Sequence, residues 1–197
     1  IMVDCKFINN KASSSGGVGG AAYIYGTNNQ VGGAVFENCE IKGGSNAIRL
    51  EQKNTANAYT LTFNGTNTLE GSTEWLKVIG TDAMFKVVMN DNGLDMTKTS
   101  GLAASIGNTY YNTLANAIKD AKDNDTITLV KDIDLADCKL GTLDGEYNTY
   151  FLVEGKRITV DLNGKTISGE YTGDSMLVGV FSTDNNGHLT LTGNGTV

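Results

Sequence analysis

The chain has 197 residues, of which 40% are hydrophobic and 19% charged, with 25 glycines, no proline and a net charge of −7. This negative charge, together with the lack of any Lys- or Arg-rich run, argues against nucleic acid and anionic membrane surfaces as partners. No apolar run approaches the ~20 residues of a membrane span, so we expect no membrane insertion of this segment. Glycine, asparagine and β-branched residues predict many short strands joined by tight turns.

The first 52 residues predict coils of a solenoid. Short alternations of apolar and polar residues indicate strands, and pairs of glycines indicate the corners between them. The candidate strands are 2–8, 21–25, 34–36, 39–42 and 47–50. Each inward Val, Ile, Leu or Phe would contribute about 1.5–3 kcal/mol on burial, which suffices only if the coils stack and share one core.

Two of the three cysteines occupy matching places in the repeat. Cys5 lies in Val-Asp-Cys-Lys-Phe, and Cys39 lies in Glu-Asn-Cys-Glu-Ile. On adjacent coils their backbones would lie about 4.8 Å apart, while parallel side chains would hold the Cβ atoms wider than the ~3.8 Å of a disulfide. We therefore predict a stack of buried thiols. Cys138 falls in a predicted loop, and three scattered cysteines with one histidine do not predict a metal site.

A family resemblance is carried by about the first 50 residues. Phe7-Ile8-Asn9-Asn10, Gly19-Gly20-Ala21 and Gly32-Gly33-Ala34 resemble the FxxN and GGA phrases of right-handed parallel β-helix passenger domains. Such domains occur in polymorphic outer-membrane proteins, autotransporter adhesins and related surface proteins. The resemblance implies a β-helix exported to the bacterial cell surface.

After residue 57 the solenoid pattern continues and then loosens. Residues 58–71 indicate one more coil. We predict that residues 1–83 are the last coils of a first solenoid. Residues 84–112 are predicted to be a connector with short strands and a hairpin that turns at 106–108. The start of a second solenoid is predicted over residues 113–197.

A single amphipathic helix is predicted within residues 113–123. Its apolar residues recur at i, i+3, i+4 and i+7 and so form one face. They are Leu114, Ala117, Ile118 and Ala121. Asn112 or Thr113 can serve as its N-cap. Because a strand phrase follows at once, we predict that the helix covers the N-terminal end of the second solenoid.

A 31-residue repeat organises this second solenoid. Ile127 lies 31 residues before Ile158 (158 − 127), and Leu189 lies 31 after it (189 − 158). The spacing predicts that the strands around these residues stack on one another. Phe151 and Phe181, 30 residues apart (181 − 151), are predicted to stack on another face.

The same spacing carries polar residues at one corner, namely Asp132, Asn163 and Asn194. We predict a structural ladder in which each side chain bonds the backbone or a side chain of the neighbouring coil. A calcium site is the functional alternative, but one carboxylate and two amides are a weak ligand set. Asn163-Gly164 predicts a tight turn after the middle strand.

A second resemblance covers residues 110–196. The run from Tyr110 through the helix into Ile127-Thr128-Leu129 resembles the start of pectate-lyase-like right-handed β-helices, where an amphipathic helix plugs the N-terminal end. The phrases Leu162-Asn-Gly-Lys-Thr-Ile-Ser-Gly169 and Leu189-Thr-Leu-Thr-Gly-Asn-Gly195 resemble repeated surface-protein modules of gut bacteria. The implied fold is all-β, a right-handed parallel β-helix (solenoid) with one short amphipathic capping helix.

Catalysis in enzymes of this fold needs clustered acids. Asp132 and Asp161 are the outward candidates, but the matching positions of the third coil, Asn194 and Thr192, carry no carboxylate. The single histidine, His188, has no acid in register and is predicted to be a solvated residue at the start of a strand. We therefore assign no catalytic, cofactor-binding or metal-binding residue.

These observations favour a non-enzymatic, exported bacterial surface module of the adhesin type that acts as a rigid spacer or binding surface. Its extracellular or cell-surface location follows from the resemblance, and its expected partners are a glycan or a surface protein of a host or neighbouring cell. Two alternatives stay open. One is a carbohydrate-active fragment similar to polysaccharide lyases or hydrolases, and the other is a subunit that associates head to tail into filaments.

Overall fold

The computed structural model describes residues 1–8, 22–26, 32–52, 58–80, 84–90, 93–143, 147–171, 173 and 176–197. Strands make up 56% of the structure, which has the parallel solenoid architecture predicted from the sequence. The chain divides into two compact units, Ile1–Leu102 and Ala103–Val197. The phrases Asn9-Asn10 and Gly19-Gly20-Ala21, which contributed to the first resemblance, lie outside the described residues.

The first unit is a solenoid with three strand faces. In chain order its strands are β1 (Met2–Val3), β2 (Lys6–Ile8), β3 (Ala22–Gly26), β4 (Gly32–Glu37), β5 (Glu40–Lys42), β6 (Asn46–Gln52), β7 (Tyr59–Asn64), β8 (Thr68–Glu70), β9 (Glu74–Ile79), β10 (Phe85–Met89) and β11 (Thr99–Ser100). The three faces are β1-β4-β7-β10, β2-β5-β8 and β3-β6-β9-β11. Neighbouring strands on each face pair in parallel.

Aromatic side chains of successive coils stack inside this unit. Phe36 and Phe63 are register partners, with ring centroids 5.3 Å apart and planes within 13°. Trp75 meets Phe63 edge-on, at 5.4 Å between centroids and 85° between planes. All three residues are buried. Aromatic pairs of this kind add about 0.5–1.5 kcal/mol beyond the burial of their area.

A row of left-handed residues forms the corner between the first and second faces. Asp4, Asn38 and Gly65 have φ angles of 49°, 53° and 68°. The side-chain oxygen of Asn38 accepts the N–H of Thr66 at 3.0 Å, which links two coils at this corner. The predicted strand 2–8 is therefore divided at Asp4, because a left-handed residue turns the chain out of the strand.

The first unit extends beyond its predicted end at residue 83. β10 pairs in parallel with β7 along its whole length, and β11 pairs with β9. Residues 84–100, predicted as the first part of a connector, thus belong to the solenoid. The indole N–H of Trp75 donates to the carbonyl of Asp95 at 2.8 Å and ties this last stretch to the core.

The second unit contains the helix and the remaining strands. They are β12 (Ala104–Ile106), β13 (Thr109–Tyr111), α1 (Leu114–Asp120), β14 (Asp125–Leu129), β15 (Ile133–Asp134), β16 (Gly141–Leu143), β17 (Tyr147–Glu154), β18 (Arg157–Asp161), β19 (Ile167–Ser168), β20 (Leu177–Asp184) and β21 (His188–Thr192). The parallel stacks are β14-β18-β21, β15-β19 and β17-β20. β16 pairs antiparallel with β17.

A hairpin and the helix together cover the first coil of the second unit. The predicted hairpin is confirmed, because β12 pairs antiparallel with β13. β12 also pairs antiparallel with β14, so this edge of β14 is not open. α1 contacts β12, β13, β14 and β17. The sequence assigned the covering role to the helix, but a helix has no free backbone groups along its length to pair with a strand edge, and the hairpin supplies them.

The helix begins as predicted and ends earlier. The Thr113 hydroxyl accepts the N–H of Asn116 at 3.1 Å, which makes Thr113 the N-cap. The predicted apolar face is buried at Leu114, Ala117, Ile118 and Ala121. The helix ends at Asp120 because Ala121 has an extended ψ of 143°. Among the described residues, no helix is long and apolar enough to cross a membrane.

The 31-residue repeat holds for one coil step and fails for the other. Ile158 pairs with Leu189, which confirms the predicted register. Ile127, however, lies opposite Val160 and not Ile158, so the predicted register between the first two coils is wrong by two residues. A shift of two leaves each side chain on the same face of the sheet. For this reason the inward pattern was predicted well although the pairing was not.

The stacking predicted on the β17-β20 face is confirmed. Phe151 and Phe181 are register partners, and their ring centroids are 5.1 Å apart. On the same strands the hydroxyl of Thr149, which is fully buried, donates to the carbonyl of Gly179 at 3.2 Å. The core of the second unit thus joins its coils through aromatic contact and through a side-chain-to-backbone bond.

Candidate functional site

The polar residues predicted as a ladder bond to the backbone of neighbouring coils. The Asp132 carboxylate accepts the N–H of Thr166 at 2.9 Å, and the Asn163 amide donates to the carbonyl of Leu129 at 3.0 Å. Asn194 is exposed. Asp132 therefore faces Thr166 and not Asn163, because the step between these two coils is longer than 31 residues.

The cysteines are free thiols whose protons point to carbonyl groups. Cys39 is buried and its Sγ lies 3.5 Å from the Met2 carbonyl oxygen. Cys5 is only partly buried and its Sγ lies 3.2 Å from the Val3 carbonyl oxygen. Burial, assisted by the nearby carboxylates, raises the pKa of Cys138, so this thiol stays protonated at neutral pH.

A shallow groove of about 400 Å³ lies on the outer surface of the β14-β18-β21 sheet. One lining residue comes from the corner before β14, and the others come from the two following strands. They are Asn124, Arg157, Ile158, Thr159, His188 and Thr190. We call this surface the β18-β21 groove. It is the candidate functional site.

Two matched pairs of side chains form the floor of the β18-β21 groove. Arg157 is the register partner of His188, and Thr159 is the register partner of Thr190. Neighbouring strands lie about 4.7–4.9 Å apart, so each pair sits within one strand spacing. Because Ile158 is buried, alternation along the strand turns its neighbours Arg157 and Thr159 outward.

Arg157 has no acidic partner. In the part of the chain that the structure describes, no carboxylate lies within salt-bridge distance of its guanidinium. Arg49, the other arginine, is placed on an outer face of the first unit and lies 2.7 Å from the Glu51 carboxylate. The groove therefore presents an exposed positive charge that no acid of the described residues neutralises.

A corner of the preceding coil fixes the backbone under Arg157. Asn124 is left-handed, with φ of 68°, and its N–H donates to the Arg157 carbonyl at 2.7 Å. The Asp123 carboxylate accepts the N–H of Arg157 at 2.7 Å and the side-chain amide of Asn124 at 3.0 Å. Asp123 is thus occupied by N–H donors, and it holds the start of β18 in place.

The groove offers binding groups more than catalytic ones. Asp161, the outward acid of β18, stacks between Thr128 and Thr192, and its carboxylate accepts the N–H of Asn163 at 2.9 Å. His188 is exposed at the start of β21. Over the described ranges, no group of three or more His, Cys, Asp or Glu residues is placed to hold a metal ion. A guanidinium, an imidazole and two hydroxyls can bind a polar ligand through charge and hydrogen bonds.

The sequence pattern placed Arg157 opposite His188 but did not identify a site there. Both residues had been assigned to the solvent because neither had an acid in register. Asn124 was missed altogether, because the predicted 31-residue step aligned Thr126 with Arg157. The available signal was the tendency of Asn to adopt a left-handed conformation at a corner.

Comparisons with known proteins assign no family to this chain. No protein-family model, curated protein or solved structure matches it. The parallel solenoid with one helix is therefore established by the strand pairing of the chain itself, and its function has to be inferred from its surfaces.

Proposed function

We propose that the chain is a non-enzymatic module of a bacterial cell-surface protein of the adhesin type. The solenoid acts as a rigid scaffold, and the β18-β21 groove is part of its binding surface. The observation that carries this proposal is the pairing of Arg157 with His188 and of Thr159 with Thr190 along the groove. A backbone ladder holds these side chains at fixed spacing, which lowers the entropy cost of binding a partner.

The outer faces of the first unit support the role of a spacer. Its exposed charges pair with one another across and along the coils. These pairs are Lys6–Glu40, Lys42–Glu40, Lys42–Glu70, Arg49–Glu51 and Lys77–Glu74. Exposed pairs of this kind contribute only about 0–1 kcal/mol each to stability. They leave the described part of this surface close to locally neutral, which suits a segment that holds a binding surface away from the cell.

Surface location and adhesion are tested together. Antibody against the purified chain is applied to intact cells of the organism that makes it, before and after mild protease treatment of those cells. We expect labelling of intact cells that the protease removes. The purified chain on beads is also expected to bind host cells or their isolated glycans. Labelling that appears only after lysis, with no bead adhesion, would contradict the proposal.

The non-enzymatic character is tested with polysaccharides. The chain is incubated with uronate-containing and neutral polysaccharides, and product size is followed by chromatography. We expect no change in polymer length. Depolymerisation that Asp161→Ala abolishes would overturn the proposal in favour of a carbohydrate-active enzyme.

A further inference from the structure

We infer that the β18-β21 groove recognises an acidic glycan, through an oxyanion group carried on a polyhydroxylated chain. The inference deepens the proposed function, because it names the ligand class of the same surface. The oxyanion is a carboxylate or a sulfate, which share the oxygen geometry that a guanidinium binds. Its contact is Arg157, and the neighbouring hydroxyls of the sugar meet the threonines of the groove.

The anionic character of the ligand follows from Arg157. Its guanidinium is exposed, and among the described residues it has neither an ion pair nor a hydrogen-bond acceptor. Guanidinium presents a planar fork of N–H donors that matches two oxygens of a carboxylate or sulfate. Its backbone is held on both sides, by Asp123 at its N–H and by Asn124 at its carbonyl. The fork therefore projects from a fixed point.

The sugar character follows from the other lining groups. His188 lies beside Arg157, and Thr159 and Thr190 lie two residues further along the same strands. Imidazole and hydroxyl groups donate and accept, as sugar hydroxyls do. The lining crosses from the corner before β14 to β21, which is two strand spacings or roughly 10 Å. This length and the volume of about 400 Å³ suit one or two sugar rings, and the volume is in the range of about 300–1,000 Å³ typical of small-ligand sites.

The remaining charges make the site dependent on Arg157. The nearest acids are Asp123 and Asp125, whose carboxylates accept backbone N–H groups at 2.7 Å, and Asp161, which accepts the N–H of Asn163. The whole chain carries a net charge of −7, so a polyanion is repelled by most of its surface. Anion binding should therefore occur locally at the groove and weaken with salt.

The test compares three short oligosaccharides of equal length, one carboxylated, one sulfated and one neutral. Binding to the full chain is followed by NMR titration, at low and at high salt. We expect saturable, salt-sensitive shifts of the β18 and β21 amides with at least one acidic oligosaccharide, and at least tenfold weaker binding of the neutral one. The relative affinity of the two acidic probes identifies which oxyanion the groove prefers.

The variant Arg157→Gln is expected to weaken acidic binding at least tenfold, and His188→Gln to weaken it less. Arg49→Gln is the matched control, because that arginine is already paired with Glu51, and it should leave binding unchanged. Amide spectra of the variants verify that they fold.

Equal binding of acidic and neutral probes, or equal effects of Arg157→Gln and Arg49→Gln, would overturn the inference. Neither result would remove the proposed adhesion, which is scored separately by labelling of intact cells and by bead binding. Conversely, acidic binding that depends on Arg157 would survive a failure to find the chain at the cell surface.

Discussion

The Lys156 ammonium donates to the carbonyl oxygens of Ala121 and Lys119, at 2.8 Å and 3.2 Å. Lys156 lies between β17 and β18, whereas its two acceptors lie at the C-terminal end of α1. Carbonyls at a helix end lack helical partners and form the negative end of the helix dipole. The second coil of the solenoid therefore caps the helix that covers the first coil.

Loss of this cap should be measurable. We expect Lys156→Met to lower the free energy of unfolding by about 1–2 kcal/mol, since a charged hydrogen bond to a partly buried acceptor is lost. Lys131→Met is the control, because Lys131 is an exposed lysine of the same unit and should change little. Urea denaturation measures both, and equal losses would show that the contact of Lys156 with the helix is unimportant.

The turn at Asn163 combines a hydrogen bond with an unusual backbone conformation. Asn163 has φ of 49° and bonds the carbonyl of Leu129. We expect Asn163→Ala to cost about 1–3 kcal/mol, because it removes the bond and strains the left-handed residue. Asn163→Gly should cost less, since glycine tolerates positive φ. Thermal denaturation of the two variants separates the contributions, and an Ala variant as stable as the parent would refute the role of this residue.

Two glycines of the second unit differ in the space around them. Gly164 and Gly193 have φ of 71° and 85°. A Cβ on Gly164 meets nothing within 4 Å, whereas one on Gly193 would collide with the Asp161 carboxylate and come within 2.8 Å of the Asn163 backbone nitrogen. We expect Gly164→Ala to cost about 1 kcal/mol from backbone strain alone. Gly193→Ala should cost at least about 1 kcal/mol more, because overpacking is added.

The comparison of these two variants in urea tests how closely the third coil packs on the second. Similar losses for both would mean that the β21 end is looser than the register of Arg157 with His188 requires.

The Glu40 carboxylate gives the first unit a dependence on pH. Hydrogen bonds from Lys6 first and Lys42 second hold the pKa of Glu40 below its usual 4.5, with N–O distances of 3.2 Å and 3.3 Å. Because the folded pKa is depressed, its stabilisation is present above the ordinary value and disappears as pH falls through the folded value. We expect the difference in Tm between the parent and Glu40→Gln to be small at neutral pH and to vanish at lower pH.

Salt supplies the control for this pH series. At about 1 M salt the Debye length is ~3 Å, so the difference in Tm between the two proteins should shrink even at neutral pH. A difference that persists at low pH and high salt would show that packing of the side chain, and not its charge, stabilises this face.

Features confined to one segment were predictable. The apolar face of α1 is buried at the positions that the 3.6-residue period selected, Leu114 and Ile118 among them. Thr113 caps the helix, and Asn163 with Gly164 forms the turn with positive φ at both residues. Each of these features depends on side chains a few positions apart, so the local sequence contains the information that decides it.

Pairing between coils was predictable only where coil lengths happened to be equal. Phe151 with Phe181 and Arg157 with His188 followed from constant spacing. Ile127 lies opposite Val160 instead, because the loop between β14 and β18 holds two more residues than the repeat implies. Alternation within a strand has a period of two, so it is blind to a shift of two residues.

The sequence by itself determined the class of fold, the short strands, the helix and which side chains face the core. These follow from alternation, helical periodicity and turn residues, all of which act over a few positions. Only the tertiary structure decided that Asn124 reaches the groove beside Arg157, and that among the described residues no carboxylate pairs with that guanidinium. Contacts between charges on different coils depend on how many residues each loop contains, and strand periodicity carries no record of that number.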